Sequence, residues 1–298
     1  MVKIFVVHHK HGNVFRNAVF EPIQTGAQRS GLDLGFLRDD VGDNIADKNP
    51  YYGELTAWYW VLKNWLPKHN EVTHVGFCHY RRVLDVTSPV TSAGMPFVPM
   101  DWSDFEKLFS SERYSAQTIE ELCKRYDVFL PRKDKLMSFR KNFIGNVWNQ
   151  YYIFHPHKAM ELCAEKAISL GLASAEDIRK VLLSYSFHSC LNFIMRRDLF
   201  ESLVCWMLSI IDVAYPEMGC RPDMSFQEIR APAYVAENFL DVWLYRQRES
   251  LRVRECAGYL VDKVHIPHDI PWYLSGVKQW VLWKTGMKTR APLPKALR

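Results

Sequence analysis

The stretch Thr73–Val83, THVGFCHYRRV, begins with residues typical of a buried strand and ends in a histidine, a tyrosine and two arginines. In open α/β sheets, ligands bind just outside the carboxyl ends of strands. A guanidinium group keeps its charge and offers a planar fork of donors that suits phosphate oxygens. We therefore predict that His79, Tyr80, Arg81 and Arg82 bind an anion, although two exposed arginines beside a loop are common on any protein surface.

Neighbouring segments predict that this strand lies in a parallel α/β sheet. Lys3–Val7, KIFVV, is rich in β-branched and aromatic residues and predicts the first strand, and residues 31–37 predict the second. A helix is predicted from a cap at Asn49 to Pro67, because apolar residues recur on one face at spacings of four, three and four. Strand, helix and strand in this order form a βαβ unit, which favours parallel strands.

Local signals assign the other segments. Residues 20–29 are predicted to form a short helix, and residues 229–234 to be extended around Pro232. Residues 86–100 contain three prolines and no charge, which predicts a long loop that covers a ligand. Signals later in the chain predict strands at 127–131 and 191–195 and helices at 157–170, 175–185, 198–213 and 236–245.

Composition limits the class of protein. The chain has 298 residues, of which 48% are apolar and 24% are charged, and its formal net charge is +5. This mild basicity fits an anionic small molecule, a membrane surface or nucleic acid. The seven cysteines include no Cys-x-x-Cys pair, and several lie in apolar runs, so we expect reduced thiols and a cytoplasmic protein. The amino terminus lacks the long apolar segment of a secretory signal, and the longest apolar run is too short to span a bilayer.

Two motifs resemble a known family. LRDDVGDNIADKNPYYGELTAWYWVLKN at residues 37–64, followed by HVGFCHYRR at residues 74–82, resembles the signature of a bacterial polysaccharide-biosynthesis family. That family is the domain of unknown function 4422, which includes glycosyltransferase family 111. NFIMRRDLFESLVCWM at residues 192–207 and YVAENFLDVWL at residues 234–244 resemble its later segments, so the similarity spans most of residues 1–246.

The resemblance implies a fold, a donor and an acceptor. The fold is an α/β, GT-A-like nucleotide-sugar-binding fold with a mixed, mainly parallel sheet flanked by helices. The implied activity is hexosyl transfer from a UDP-sugar, with galactofuranose or galactose as candidate sugars, to a growing lipid-linked glycan of O-antigen lipopolysaccharide or capsule. Other polysaccharide-assembly enzymes are candidate partners.

The sequence lacks the Asp-x-Asp motif that holds a metal in most GT-A enzymes. A leaving diphosphate still requires its charge to be neutralised, either by a metal or by fixed cations. Arg81 and Arg82 with Lys10, beside His79 and Tyr80, are expected to do this. We therefore favour a metal-independent enzyme without a cofactor, with Mn²⁺ or Mg²⁺ as the alternative.

The acidic loop before the helix has two interpretations. Its acids and amides either bond backbone amides in tight turns or bind ribose and donor-sugar hydroxyls. By analogy with the fold, the end of the first strand is expected to form a wall of the nucleotide pocket. The candidate nucleotide- and donor-sugar-binding residues are His8, Asp39, Asp40, Asp43, Asn44, Asn49 and Glu54.

A transfer with inversion also needs a general base beside the acceptor hydroxyl. Glu237 is the candidate, and Asp241 lies one turn later on the same helix face; the alternative for Glu237 is a carboxylate that stabilises a helix amino terminus. Trp148, His188 and Asn192 are the candidate acceptor-binding residues, although aromatic residues are more often simply core.

These assignments predict a donor half at residues 1–131, an acceptor half at 132–250 and a basic extension at 251–298. Residues 270–298 hold six Lys/Arg and no acid, with three tryptophans interleaved. They are either a helix packed on the domain or a segment that rests on the cytoplasmic face of the inner membrane.

The alternatives to an inverting transferase are a retaining transferase and a non-enzymatic nucleic-acid-binding module. No nucleic-acid motif supports the latter, so we expect no nucleic-acid partner.

Overall fold

The structure is a computed structural model, and it describes residues 1–89, 96–136, 145–261 and 292–298. These residues fall into two compact units. Unit 1 takes its described residues from Met1–Arg132, Ser189–Leu208 and Gln247–Val264. Unit 2 takes its described residues from Lys133–His188, Ser209–Arg246 and His265–Arg298. The division after Arg132 lies next to the predicted end of the donor half, but both units then draw on later parts of the chain.

Unit 1 is built on a nine-stranded sheet. Its strands are β1 Val2–His8, β2 Phe20–Gln24, β3 Leu37–Arg38, β4 His74–His79, β5 Arg82–Pro89, β6 Val98–Met100, β7 Val128–Pro131, β10 Phe193–Arg196 and β11 Val253–Val261. Unit 2 contains a two-stranded sheet of β8 Asp134–Lys135 and β9 Ser186–Phe187.

The large sheet is mixed, as expected, and it contains both parallel and antiparallel pairs of strands. In the order β10-β7-β11-β5-β4-β1-β2-β3, β1 is parallel to β2 and β4, whereas β5 and β10 are antiparallel to their neighbours. The parallel pairing expected from the first βαβ unit is therefore confirmed at β1, and further parallel pairs join β2 to β3 and β11 to β6 and β7. Strand β11, which the sequence placed in an extension, pairs with β5, β6 and β7, so a boundary at residue 250 does not fit the sheet.

Strand β4 lies at the centre of unit 1. It pairs with β1, β5 and β10, and five of its six residues are buried. A Cβ atom at Gly76 would lie only 2.8 Å from Ile194 Cγ1 and 2.9 Å from the Phe193 carbonyl oxygen, so the close approach of β10 requires glycine there. The stretch that ends in HYRR is therefore anchored on three strands.

The described residues form eleven α-helices. They are α1 Ala27–Ser30, α2 Asn49–Tyr52, α3 Leu55–Trp60, α4 Trp102–Phe109, α5 Ala116–Cys123, α6 Val147–Phe154, α7 His157–Ser169, α8 Ala175–Leu182, α9 Arg197–Met218, α10 Phe226–Ile229 and α11 Ala231–Arg246. The helix predicted from Asn49 to Pro67 is broken at Gly53, which has a positive φ, and passes through a π-helical turn at Val61–Trp65 into a 3₁₀ turn at Leu66–Lys68. Asn49 does not cap it but forms its first residue.

Four local predictions were wrong, two of them because proline position was misjudged. The strand predicted at residues 31–37 is one of the four, because only Leu37 of that range belongs to a strand, β3. Residues 20–24 form β2 rather than a helix, because they pair in register with β1 and bury Phe20 and Ile23. The predicted loop 86–100 contains the end of β5 and all of β6, whose prolines lie at a strand end and on an edge strand, where proline is tolerated. Pro232 lies in the first turn of α11, where its missing N–H costs nothing, so residues 231–234 are helical.

Helix α11 is the most buried helix of unit 2. Nearly all of its residues are buried, and the polar ones, Tyr234, Glu237, Asn238 and Asp241, recur at the helical spacings that place them on one face. Helix α9 is long and apolar enough to cross a membrane, but 56% of its most apolar window is buried within the protein, as in a core helix.

Candidate functional site

The HYRR motif forms a tight hairpin at the carboxyl end of β4. His79, the last residue of β4, pairs with Arg82, the first residue of β5, so Tyr80 and Arg81 form a two-residue turn. The Tyr80 N–H donates to the Val7 carbonyl oxygen at 3.2 Å, which ties the turn to the end of β1. Arg81 lies in this turn and Arg82 begins β5, so the hairpin holds both arginines at the carboxyl end of β4.

Aromatic contacts fix the ring of Tyr80. His8, the last residue of β1, stacks on this ring with centroids 5.1 Å apart, and the Arg81 guanidinium lies 5.2 Å from its centroid. A Cβ atom at Gly12 would lie 3.0 Å from the ring, so the loop after β1 also packs against it closely. Lys10 lies in this loop and is exposed. The structure therefore brings together most of the residues predicted to bind the diphosphate.

His8 is fully buried, and neither ring nitrogen has a hydrogen-bond partner among the described residues. Burial, with a smaller contribution from His9, lowers the pKa of His8 to about 4. The imidazole is therefore neutral at pH 7 and adds no charge to the anion site. The buried hydroxyl of Tyr80 likewise has no partner within the described chain. Buried polar atoms of this kind call for an explanation, and a bound ligand is one.

His79 is held by two acceptors. Its Nε2 lies 3.4 Å from Glu54 Oε1 and 3.2 Å from the Cys190 carbonyl oxygen. Cys190 and Leu191 both have positive φ angles, 72° and 39°, which are unusual for residues with side chains. Such backbone strain clusters at functional sites. Glu54, a predicted donor-site residue, is thus in the HYRR cluster.

Asn192, a predicted acceptor-binding residue, lies beside the HYRR hairpin. Its Nδ2 donates to the Arg82 carbonyl oxygen at 3.3 Å, and its buried Oδ1 has no partner among the described residues. Trp148 and His188, the other two predicted acceptor residues, lie in unit 2. The strand β10 carries Asn192 to the end of β4 because the two strands are antiparallel.

The sequence left two roles open for Asp39, and its contacts fit the architectural one, in which it bonds backbone amides in a turn. Its side chain is fully buried, and it accepts hydrogen bonds from the backbone N–H groups of Gly26 and Ala27 at 2.8 and 3.1 Å. The Thr56 hydroxyl donates to it at 2.6 Å. Asn49 completes this network by donating to Thr25 and Thr56. Both carboxylate oxygens of Asp39 are therefore occupied by the chain itself.

The rest of the acidic loop is also bonded internally. Asp40 forms a bidentate ion pair with Arg38, whose hydrogen bond lowers the pKa of Asp40. Asn44 bonds the backbone of its own turn at Gly42 and Ala46. Asp43 is the exposed acid of the predicted set, and its Oδ1 accepts from the Tyr59 hydroxyl at 2.9 Å. Donor-sugar contact by these residues stays a prediction.

Unit 2 contains a buried histidine–aspartate pair. His188 Nδ1 lies 2.5 Å from Asp241 Oδ1, and the His188 backbone N–H donates to Asp241 Oδ2 at 2.8 Å. Lys133 Nζ lies 3.7 Å from the same carboxylate. Burial raises the pKa of Asp241, but the charge and hydrogen bond of His188 outweigh it, and the pKa lies below its ordinary value. Asp241 thus stays ionised and fixes the orientation of the His188 ring.

Glu237 and Trp148 occupy different settings in unit 2. Glu237 lies in the second turn of α11, which begins at Ala231, so it is not the helix-terminal carboxylate that the sequence left as an alternative. Trp148 is 1% exposed, and its indole N–H donates to the Pro292 carbonyl oxygen at 3.2 Å. Its side chain therefore packs in the core of the unit, and the predicted role of Glu237 as a base stays a prediction.

Within the described ranges, no group of three or more His, Cys, Asp or Glu side chains is arranged to hold a metal ion.

Two site features could not be expected from the sequence. The strained Cys190–Leu191 backbone beside His79 carries no sequence signal, because neither residue type favours a positive φ. The hydroxyls of Thr25 and Thr56 were also missed, since isolated threonines in apolar segments give no sign of a shared carboxylate.

Comparison with known proteins identifies the family. Residues 3–248 match the model of the domain of unknown function DUF4422. The chain belongs to this family. No curated protein matches it.

A solved structure is similar to this DUF4422 chain over most of its length. It is the apo structure of the WbbM bifunctional glycosyltransferase, with 27% sequence identity and a TM-score of 0.75. The similarity covers 88% of this chain and 45% of that chain. The DUF4422 chain therefore spans less than half of WbbM, and its α/β fold is that of part of a glycosyltransferase.

Proposed function

We propose that this chain is a glycosyltransferase that takes a sugar from a UDP-sugar and transfers it to a growing lipid-linked glycan. The observation that carries the proposal is the HYRR hairpin, which holds Arg81 and Arg82 at the carboxyl end of β4 beside the end of β1. This edge is where α/β sheets bind ligands, and paired guanidinium groups suit a diphosphate. The similarity to part of a bifunctional glycosyltransferase supports the same assignment.

The chemistry requires charge neutralisation at the donor. The bond between the sugar anomeric carbon and the diphosphate oxygen breaks, and the diphosphate leaves with the electron pair. Arg81 and Arg82 stabilise the developing charge through charge-assisted hydrogen bonds. His8 stacks behind Tyr80 as a neutral, largely apolar wall, since the pKa of His8 is about 4. In this proposal the arginines act without a metal, and Mn²⁺ or Mg²⁺ dependence is the alternative.

The acceptor hydroxyl forms the new glycosidic bond and must lose its proton. We assign the proton to Glu237 in a direct displacement with inversion, and a retaining transfer is the alternative. The candidate donors are UDP-galactofuranose and UDP-galactose, and the candidate products are O-antigen or capsule glycans made at the cytoplasmic face of the inner membrane. Residues 270–291, which include the tryptophans of the predicted membrane segment, lie outside the described residues.

The test is a transfer assay with a panel of UDP-hexoses and isolated lipid-linked glycan. UDP release and the anomeric configuration of the product are followed by NMR, with EDTA and then with Mn²⁺. We expect UDP release from the wild type and its loss in Arg81→Ala. Arg125→Ala is the matched control, because Arg125 is also exposed. Strands β4 and β7 are both antiparallel to β10, so they run in the same direction. Arg125 precedes β7 and HYRR follows β4, so the two lie at opposite edges of the sheet. Equal loss in both variants, or no UDP release from any donor, would contradict the proposal.

A further inference from the structure

Unit 1 contains a concave site away from the HYRR hairpin. It is a cavity of about 420 Å³, within the size range of small-molecule sites. Its walls come from the loop before β2, from α4 and from the turn before α5, and they include Phe15, Arg16, Trp102, Glu106 and Phe109. The residues of this cavity have no part in the proposed donor site.

The position of the cavity follows from the strand directions. Asn17 fixes one wall, because its Oδ1 accepts from the Phe20 N–H at 3.0 Å and its Nδ2 donates to the Tyr114 carbonyl oxygen at 3.0 Å. Phe20 is the first residue of β2, so the cavity lies at the amino-terminal end of that strand. The HYRR hairpin lies at the carboxyl end of β4, and β2 and β4 both run parallel to β1. The two sites are therefore at opposite edges of the sheet.

The face of α4 combines aromatic and polar groups. Trp102, Glu106 and Phe109 recur at spacings of four and three, so they lie on one side of the helix. Trp102 and Phe109 are partly buried, and Glu106 is exposed. Among the described residues, neither the indole N–H of Trp102 nor the carboxylate of Glu106 has a hydrogen-bond partner. The cavity thus offers an aromatic surface with one unused donor and one unused acceptor beside it.

The charges of the walls argue against an anionic ligand. Arg16 is the cation of the lining, and it forms an ion pair with Glu21 at 3.2 Å. Because Arg16 is already paired, the Glu106 carboxylate gives the cavity a net negative charge, which disfavours the binding of a phosphate or a nucleotide. An acyl chain is also a poor fit, because it would leave the carboxylate of Glu106 facing an apolar ligand.

We propose that this cavity binds a neutral saccharide. A pyranose or furanose ring has an apolar face that packs on an aromatic ring, and its hydroxyls both donate and accept. A sugar hydroxyl accepts from the Trp102 indole N–H while a neighbouring hydroxyl donates to Glu106. The choice of a saccharide rests on the proposed function, since a chain that extends a glycan encounters sugars other than the one it transfers.

Ligand-observed NMR tests this binding on the full chain. Methyl β-D-galactopyranoside, methyl α-D-glucopyranoside and lactose are titrated, and saturation transfer to their ring protons is measured. We expect binding to the wild type and an affinity about threefold to tenfold lower in Glu106→Gln, because the amide oxygen accepts a weaker, uncharged hydrogen bond and the NH₂ group cannot accept one. Trp102→Phe keeps a ring but removes the N–H, and we expect it to weaken binding too. Asp104→Asn is the control on the same helix, since Asp104 is exposed and faces Lys107 at 3.4 Å.

The outcomes separate this site from the proposed function. Absence of saccharide binding to the wild type, or equal affinity in Glu106→Gln and the wild type, overturns the inference even if UDP binds. Displacement of the saccharide by UDP also overturns it, because the cavity would then be the nucleotide site. Saccharide binding that depends on Glu106, in a chain that does not bind UDP, supports the cavity and contradicts the proposed donor site instead.

Discussion

Replacing Asp39 with asparagine tests the architectural role of the acidic loop. Asp39 Oδ2 accepts from the Gly26 N–H at 2.8 Å and from the Thr56 hydroxyl at 2.6 Å, and Oδ1 accepts from the Ala27 N–H at 3.1 Å. An asparagine of the same shape must turn its NH₂ group toward one of these two oxygen positions. One backbone N–H is then left facing another donor in a fully buried site.

The cost follows from these contacts. A buried donor without an acceptor costs about 1–3 kcal/mol, and the remaining hydrogen bonds lose the assistance of the charge. We therefore expect Asp39→Asn to lower the free energy of unfolding by about 2–4 kcal/mol. Asp47→Asn removes the same charge from an exposed position in the same loop, and we expect it to change stability by less than about 0.5 kcal/mol.

Urea denaturation of the wild type and both variants measures this difference. Amide hydrogen exchange at Gly26 and Ala27 adds a local measurement, because both N–H groups are bonded to Asp39. We expect faster exchange there in Asp39→Asn and unchanged exchange in Asp47→Asn. If Asp39→Asn were as stable as the wild type yet bound UDP more than tenfold more weakly, Asp39 would contact the ligand and the architectural role would be refuted.

Three further predictions follow from unit 1. The Asp127 carboxylate accepts hydrogen bonds from Arg252, which lowers the pKa of Asp127 from 3.8 to about 2. The stability that this carboxylate contributes is therefore present above pH 4 and is lost as the pH falls toward 2. Asp127→Asn should flatten that part of the plot of unfolding free energy against pH. Gly76→Ala should cost about 1–3 kcal/mol in denaturant unfolding, because the new methyl would lie 2.8 Å from a side-chain carbon of β10. Glu54→Gln should weaken UDP binding in calorimetry about three- to tenfold, because the carboxylate that lies 3.4 Å from His79 Nε2 is lost, whereas unchanged affinity would remove that contact from the site.

The sequence predicted the centre of the sheet better than its edges. The apolar runs of β1 and β4 are buried on both faces, so their composition alone identified them. Strand β11 alternates buried with partly exposed residues and follows a charged segment, and it was taken for an extension. Its place depends on pairing with β5 and β7, which are distant in sequence, and no local signal reports such pairing.

The site was predicted in part for a related reason. HYRR was recognisable because two arginines follow a buried strand, and Glu54 came from the family resemblance. The sequence could not show that Asn192 meets the Arg82 carbonyl, since that contact depends on the antiparallel pairing of β10 with β4. Nor could the sequence distinguish the roles of Asp39 and Asp43, because the burial of Asp39 and the exposure of Asp43 arise only when the loop folds.

The most direct test of the diphosphate site is calorimetric titration of the chain with UDP, first in EDTA and then with Mn²⁺. We expect binding in EDTA that is unchanged in Arg125→Ala and about tenfold or more weaker in Arg81→Ala. Binding that is equal in the wild type and Arg81→Ala, or that occurs only with Mn²⁺, would contradict a diphosphate site built from the HYRR hairpin.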